Sequence, residues 1–166
     1  MKAVVVYESI WGSTASVARA IAEGLGPDTQ ALSTLQATPE ALAGADLIVA
    51  GAPLMAFSLP TESTRNNLGS YEAKAPRPPD LSAPSMRSWL ETVPKSTGRC
   101  AAFETRFRWS PGSATKGILR GLERAGYQPA EKKGKRFIIA GTYGPMRDGE
   151  LERARRWGAE LAMSLG

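Results

Sequence analysis

Hydrophobic residues along the chain concentrate in short unbroken runs, and the stretches between them are amphipathic. Four runs are almost entirely apolar, at residues 3–7, 47–51, 100–103 and 137–141. A continuous apolar run, unlike an alternating one, is typical of a parallel strand that is covered on both faces. A weaker strand is predicted at residues 29–35, so the pattern predicts five strands in all.

The amphipathic stretches predict helices. In residues 14–25 the side chains of Val17, Ile21 and Leu25 fall on a single stripe. Further helices are predicted at residues 39–43, 85–93, 113–125 and 148–165, the last one capped by Asp148. Alternating strands and helices predict right-handed βαβ units, a parallel sheet and a single α/β domain over residues 1–166. The proline-rich residues 70–85 are interpreted as a surface excursion.

The composition excludes several kinds of chemistry. The chain has no histidine and one cysteine, Cys100. These counts exclude Ser-His-Asp and Cys-His nucleophile systems, histidine-ligated metals and C-x-x-C redox pairs. We therefore predict no catalytic residue and no metal site, and any redox chemistry would need a cofactor. Cys100 is expected to be structural, as are Trp89 and Trp157 on their helices.

Cysteine usage, hydropathy and charge bear on location and partners. A lone cysteine fits a reducing cytoplasm. No apolar run approaches the roughly 20 residues of a membrane span, so no membrane association is expected. The net charge is +5, with basic clusters at residues 132–136 and 153–156. Because no nucleic-acid motif accompanies these clusters, they are interpreted as solvated faces, and no nucleic-acid partner is predicted.

The loop after the first strand is the first place to look for a ligand, because open parallel sheets bind ligands beyond the carboxyl ends of their strands. Residues 9–14 read SIWGST and lead directly into a helix; we call them the anion loop. The hydroxyls of Ser9, Ser13 and Thr14 can donate to phosphate oxygens. Gly12 lets the backbone curl so that amides point inward, and a helix N-terminus favours an anion. The loop contains no lysine or arginine.

This loop carries a family resemblance. Residues 7–14, YESIWGST, resemble the FMN phosphate loop of flavodoxins: a hydroxyl residue, two residues, glycine, one residue and threonine. Flavodoxins usually have threonine or serine at the position of Trp11, which leaves only its backbone amide for phosphate. The resemblance extends over the chain through the order of its elements. It implies a doubly wound, flavodoxin-like, five-stranded parallel sheet in the order 2-1-3-4-5, with helices on both faces, and FMN as cofactor.

The resemblance also implies where the flavin ring lies, between the loops at residues 51–60 and 104–112. Flat apolar surfaces that exclude water are available there in Phe57, Phe107 and Trp109. Arg106 or Arg108 can face the pyrimidine edge of the ring or an anionic substrate. The segment at residues 141–146, which includes Tyr143, is expected to lie away from the cofactor. The full set of predicted cofactor-binding residues is Ser9, Ile10, Trp11, Gly12, Ser13, Thr14, Pro53, Leu54, Met55, Ala56, Phe57, Thr105, Arg106, Phe107 and Trp109.

The function that follows from the resemblance is electron transfer by an FMN-binding flavodoxin-like protein. Two alternatives stay open: an NAD(P)H-dependent flavin or quinone reductase of the same fold, and a binding domain of this fold that has lost FMN. Shuttle flavodoxins are usually acidic, whereas this chain is basic, so the expected partners are an acidic redox protein or NAD(P)H. A phosphorylated receiver domain is excluded, because residues 51–53, GAP, stand where it needs an aspartate.

Overall fold

The structure, a computed structural model, describes residues 1–68 and 75–166. Its strands form one parallel sheet in the order β2-β1-β3-β4, and the far edge of β4 pairs with β5 near its start and with β6 near its end. The predicted order 2-1-3-4-5 is confirmed, with the fifth position divided between two short strands. The strands are β1 (Ala3–Tyr7), β2 (Gln30–Ser33), β3 (Leu47–Pro53), β4 (Arg99–Arg106), β5 (Gln128–Pro129) and β6 (Lys135–Ile138).

Helices cover both faces of the sheet, as predicted. They are α1 (Ser13–Leu25), α2 (Pro39–Leu42), α3 (Glu62–Asn66), α4 (Met86–Leu90), α5 (Thr115–Arg124) and α6 (Glu150–Leu165). Helices α1 and α6 pack together over one face, while α2, α4 and α5 bury their apolar residues on the other. Among the described residues, no helix combines the length and apolar character needed to cross a bilayer.

Two hydrophobic clusters, one on each face, form the core. Along β1, Val4 and Val6 belong to one cluster, and Val5 belongs to the other. Because successive side chains of a strand point to opposite faces, a strand buried on both sides needs an unbroken apolar run. Trp89 and Trp157 are both buried in these clusters, which confirms the expected packing roles. Burial also raises the pKa of Cys100 to about 12, as suits an inert structural thiol.

Strand ends differ from the prediction where polar residues are buried. Strands β3 and β4 run to Pro53 and Arg106, two and three residues beyond the predicted ends. Strand β4 continues through Glu104 because that carboxylate is 0% exposed and pairs with Arg106 at 2.8 Å. Strand β6 begins and ends earlier than predicted, because the chain turns back after it and Ile139 bridges to Met146.

Helix boundaries give further corrections. The predicted cap Asp148 is wrong: α6 begins at Glu150 after Gly149, which has a φ of +85°. The Glu150 carboxylate accepts from the Ile138 amide at 2.7 Å and so fixes this helix start against β6. Helix α3 was not predicted, because it spans five residues and has no apolar stripe. Of the proline-rich segment, residues 70–74 lie outside the described residues, and residues 75–84 form an irregular, largely exposed lead into α4.

Candidate functional site

A cavity of about 550 Å³ opens at the carboxyl ends of β1, β3, β4 and β6. This volume lies within the range of roughly 300–1,000 Å³ that is usual for small-molecule sites. The predicted residues that line it are Ile10, Trp11, Ser13, Thr14, Pro53, Leu54, Met55, Ala56, Thr105, Arg106 and Phe107. The lining residues that were not predicted are Thr64, Asn67, Leu68, Ile139 and Thr142.

The anion loop is shaped by hydrogen bonds within itself. Gly12 turns the chain into α1 with a φ of +105°. The Ser9 hydroxyl oxygen accepts from the amides of Gly12 at 3.2 Å and Ala15 at 3.1 Å. Ser9 and Gly12 therefore form the frame of the loop and not the cavity wall. Within the described part of the chain, the amides of Ser13 and Thr14 have no acceptor, as expected of the first turn of a helix.

A buried hydroxyl pair joins the anion loop to β4. Thr14 Oγ1 and Thr105 Oγ1 lie 2.8 Å apart, and both residues are almost completely buried. One hydroxyl of such a pair donates to the other, so the second hydrogen can be donated to a ligand in the cavity. The start of α1 and the end of β4 are thus held at a fixed spacing beneath the cavity.

Trp11 packs on a segment that was expected to lie elsewhere. Its ring meets Tyr143 edge-on, with ring centroids 4.8 Å apart. Ile139 and Thr142, from the same returning segment after β6, line the cavity. The expectation that this segment lies away from the site is therefore wrong, because β6 ends at Ile138 and the chain folds back toward the anion loop. Trp11 forms a wall of the cavity at the position where the resemblance implied a hydroxyl.

Arg106, the last residue of β4, donates its hydrogen bonds to Glu104 and to the loop that follows the strand. Its Nη1 donates to Glu104 at 2.8 Å and to the Gly112 carbonyl oxygen at 3.1 Å, and its Nε donates to the Phe107 carbonyl oxygen. The other Glu104 oxygen accepts from the amides of Ala114 and Thr115 at the start of α5. Arg106 thus touches the cavity with its charge already matched by Glu104. Arg108 is exposed and does not line the cavity.

The loop after β3 makes a tight two-residue turn. Met55 and Ser58 exchange backbone hydrogen bonds of 3.0 and 3.1 Å around Ala56 and Phe57, whose φ angles are +48° and +71°. Such a turn favours asparagine and glycine, and a side-chain-bearing residue there costs about 1–3 kcal/mol. The Ser113 amide holds the turn by donating to the Phe57 carbonyl oxygen at 3.1 Å.

This turn leaves two of the predicted aromatic residues outside the cavity wall. Phe57 is 68% exposed and Trp109 is 79% exposed. Trp109 stacks on Phe107, with ring centroids 5.1 Å apart, and Phe107 itself lines the cavity. Of the three predicted aromatic surfaces, the structure therefore places one in the wall and two at the surface near it.

A second buried ion pair supports the α3 side of the cavity. Arg65 Nη1 donates to Glu8 Oε2 at 2.6 Å, and Arg65 Nη2 donates to the Ala83 carbonyl oxygen at 2.7 Å. The other Glu8 oxygen accepts from the Met86 amide at 2.9 Å. Burial raises the pKa of Glu8, although the Met86 amide and Arg65 both oppose this shift. The pair fixes α3, which carries Thr64 and leads to Leu68.

The described lining residues are suited to binding a ligand. Among the described lining residues, Arg106 is the only charged side chain, and the chain has no histidine. The described residues contain no cluster of three or more histidine, cysteine, aspartate or glutamate side chains able to hold a metal. The cavity therefore combines amides and hydroxyls at one end with apolar walls at the other.

Comparisons with known proteins concern the fold. No model of a protein family matches the chain, and no curated protein matches its sequence significantly. A solved flavodoxin from the domain Archaea is 21% identical with a TM-score of 0.67, covering 99% of both chains. Flavodoxin 2 from Bacillus cereus is 16% identical with a TM-score of 0.64, covering 99% of this chain and 97% of its own. The flavodiiron core from Synechocystis is 21% identical with a TM-score of 0.63, covering 99% of this chain and 36% of its own. Together with the observed strand order, these likenesses show that the chain has the flavodoxin-like fold.

Proposed function

We propose that the chain binds FMN noncovalently in this cavity and transfers electrons between redox partners. The observation that carries the proposal is the meeting of the anion loop and a largely apolar cavity at one edge of the sheet. A single ligand with a phosphate at one end and a planar ring at the other would occupy both. The fold supports the same conclusion, although one fold can host many functions.

The phosphate end of such a ligand would be held without a charge from the anion loop itself. The amides of Ser13 and Thr14 face no acceptor in the described chain, and their hydroxyls stand at the cavity wall. The N-terminus of the 13-residue helix α1 favours an anion by about 0.3–1 kcal/mol. Oriented amides and hydroxyls of this kind are suited to phosphate oxygens.

The ring end would be held by apolar walls. Leu54, Met55 and Phe107 line one part of the cavity, and Ile139 lines another. These side chains exclude water and present flat or adaptable surfaces to a ring. When bound, FMN supplies reversible one- and two-electron chemistry, while the protein supplies position and environment.

The positive net charge of the chain indicates which kind of redox partner it would bind. The sequence carries 21 lysine and arginine residues against 16 aspartate and glutamate residues. A basic protein associates faster with an acidic partner, and salt slows that association. We therefore expect the redox partner to be an acidic protein.

The visible spectrum of the purified protein tests the proposal. We expect the absorption bands of oxidised flavin, and quenching of flavin fluorescence when FMN is added to the apoprotein. Riboflavin lacks the phosphate and should bind at least about tenfold more weakly, the equivalent of roughly 1.4 kcal/mol. A colourless protein that quenches neither flavin would overturn the proposal.

A matched pair of variants locates the site. Thr14→Val removes a buried hydroxyl at the anion loop, and Thr97→Val removes an exposed hydroxyl elsewhere. We expect Thr14→Val to weaken FMN binding about tenfold, through the lost donor and the unpaired Thr105 hydroxyl. Thr97→Val should bind FMN as the wild type does. Equal affinities in both variants would place the ligand elsewhere.

A further inference from the structure

A cation reaches the anion loop from a distant part of the chain. Nη2 of Arg77 donates a hydrogen bond to the carbonyl oxygen of Trp11. The same nitrogen lies beside Gly12, because a Cβ placed on that glycine would be 2.7 Å from it. Residues 9–14 contain no lysine or arginine. The fold therefore brings to the loop a positive charge that the loop sequence lacks.

A backbone contact holds the segment that carries this arginine. The Asp80 amide donates to the Ile10 carbonyl oxygen at 3.0 Å, so residues 77 and 80 contact two successive residues of the loop. The Asp80 carboxylate accepts from the amide and the hydroxyl of Ser82 at 3.0 and 2.6 Å. Asp80 thus helps to place Arg77 beside the loop without pairing with it.

Among the described residues, Arg77 has no carboxylate partner, unlike the two buried arginines beside the cavity. Arg65 pairs with Glu8 at 2.6 Å, and Arg106 pairs with Glu104 at 2.8 Å. No carboxylate of the described residues forms an ion pair with Arg77. A guanidinium has five donors, and the structure gives Arg77 a neutral carbonyl as partner. Within residues 1–68 and 75–166, no other group takes up its remaining donors, and its charge lies beside the helix start.

We propose that Arg77 gives the site its selectivity for a phosphorylated flavin. This inference rests on the proposed function and deepens it. A phosphomonoester carries a charge of about −1.5 to −2 near neutral pH. A guanidinium matches phosphate oxygens with two parallel hydrogen bonds, and hydrogen bonds to charged groups are the stronger ones. The exposed segment at residues 75–80 thereby has a role, which is to carry this charge to the anion loop.

Flavin titrations of four proteins test the proposal: the wild type, Arg77→Gln, Arg77→Lys and Arg19→Gln. Arg19 is an exposed arginine on α1, so its replacement changes the net charge equally. Each protein is titrated with FMN and with riboflavin, and fluorescence quenching is measured at low and at high salt. We expect Arg77→Gln to weaken FMN binding about tenfold or more and riboflavin binding less than twofold. Arg77→Lys keeps the charge without the paired hydrogen bonds and should retain only part of the FMN affinity, and Arg19→Gln should match the wild type.

The salt dependence of FMN affinity is a second measurement, and it would be the same in the wild type and in Arg77→Gln if Arg77 had only a structural role. Added salt should weaken FMN binding more steeply in the wild type than in Arg77→Gln, because the variant lacks the charge that salt screens. Wild-type FMN affinity in Arg77→Gln would overturn the inference and leave the proposed function standing. Equal losses for FMN and riboflavin would also overturn it, since Arg77 would then shape the site and not recognise phosphate. A wild type that binds neither flavin would overturn the proposed function itself.

Discussion

The two ends of the cavity are held in place by different means. At the anion end, residues 9–16, local hydrogen bonds shape the loop: Ser9 accepts from Gly12 and Ala15, and the Ser16 hydroxyl donates to the Gly12 carbonyl oxygen. At the ring end, formed by residues 53–68 and 105–115, buried carboxylates gather distant parts of the chain. Glu8 binds Arg65, which is 57 positions away in the sequence. Contiguous sequence therefore encodes the shape of the anion loop, whereas the ring end depends on a tertiary contact between charges.

Neutral hydrogen bonds and buried ion pairs differ in how much unfolding free energy is lost when one partner is replaced. A neutral hydrogen bond contributes about 0.5–1.5 kcal/mol to stability. Breaking a buried ion pair by removing one partner costs about 3–5 kcal/mol, because the other charge is left buried and unpaired. The ring end should therefore be the more sensitive of the two to single substitutions. The anion end should show its effects mainly in ligand affinity.

The largest expected effect is that of Glu104→Ala. Arg106 is only 4% exposed and would lose its partner, and the amides of Ala114 and Thr115 would lose their acceptor. We expect the free energy of unfolding to fall by about 3–5 kcal/mol. Urea denaturation followed by circular dichroism measures this change.

Two further variants serve as controls for this prediction. Glu123→Ala removes an exposed carboxylate from α5 and should change stability by less than about 0.5 kcal/mol. The double variant Glu104→Leu with Arg106→Met removes both charges and should recover part of the loss. If Glu104→Ala costs no more than Glu123→Ala, the ion pair does not hold the ring end.

Replacing one glycine at each end by alanine should have the next largest effect, and it allows the two ends to be compared directly. Gly112 at the ring end and Gly12 at the anion end have φ angles of +99° and +105°, so alanine strains both by at least about 1 kcal/mol. A Cβ at Gly112 would collide with the backbone of Phe57, whereas a Cβ at Gly12 would meet only the end of the Arg77 side chain. We therefore expect Gly112→Ala to lower the unfolding free energy more, by a further 1–3 kcal/mol or so.

Flavin affinity separates the two glycine variants further. Gly112→Ala should weaken FMN and riboflavin equally, because it displaces the turn at Phe57. Gly12→Ala should weaken FMN more than riboflavin, because it disturbs the anion loop. Unfolding curves and titrations with both flavins provide the measurements. If both variants lose the same unfolding free energy and the same affinity for each flavin, the two ends are not built independently.

The same contrast explains how far the sequence alone predicts the molecule. The apolar runs predicted the parallel strands, since a strand buried on both faces needs an unbroken run, and the resemblance to flavodoxins implied their order. The anion loop was predicted from six contiguous residues, and Trp11, Ser13 and Thr14 line the cavity. Local chemistry of this kind can be read from neighbouring positions. The structure adds the partners that reach this loop from elsewhere in the chain, namely Arg77, Thr105 and Tyr143.

The ring end was predicted less completely, for physical reasons. Thr64 lies on α3, a five-residue helix without an apolar stripe that is held by an ion pair across the fold. Phe57 lies outside the cavity wall because the turn at Ala56 has left-handed backbone angles, which no local signal such as Asn-Gly announces. Thr142 was missed because β6 ends early and the chain returns. Sequence spacing does not encode such long-range contacts.

The smallest expected effect is a pH dependence from Glu8. Burial raises the pKa of this carboxyl above its ordinary value of 4.5, and the nearby Glu62 adds to the shift, while Met86 and Arg65 oppose it. Between 4.5 and the raised value, the folded protein binds a proton that the unfolded chain releases. The contribution of Glu8 to stability therefore falls as pH rises through this window, and it is constant above it.

Comparing the wild type with Glu8→Gln separates the contribution of Glu8 from those of the other titratable groups. The pKa values of Asp80 and Glu150 are lowered by hydrogen bonds from Ser82 and Arg153, respectively, so their contributions are lost as pH falls, in the opposite direction. Both proteins share these groups, so they cancel in the difference. We expect the unfolding free energy of the wild type minus that of Glu8→Gln to decrease as pH rises above 4.5 and then to level off. A difference that increases with pH would mean that the attraction of Arg65 outweighs the burial of Glu8, and that the ring end is held by a net favourable charge pair.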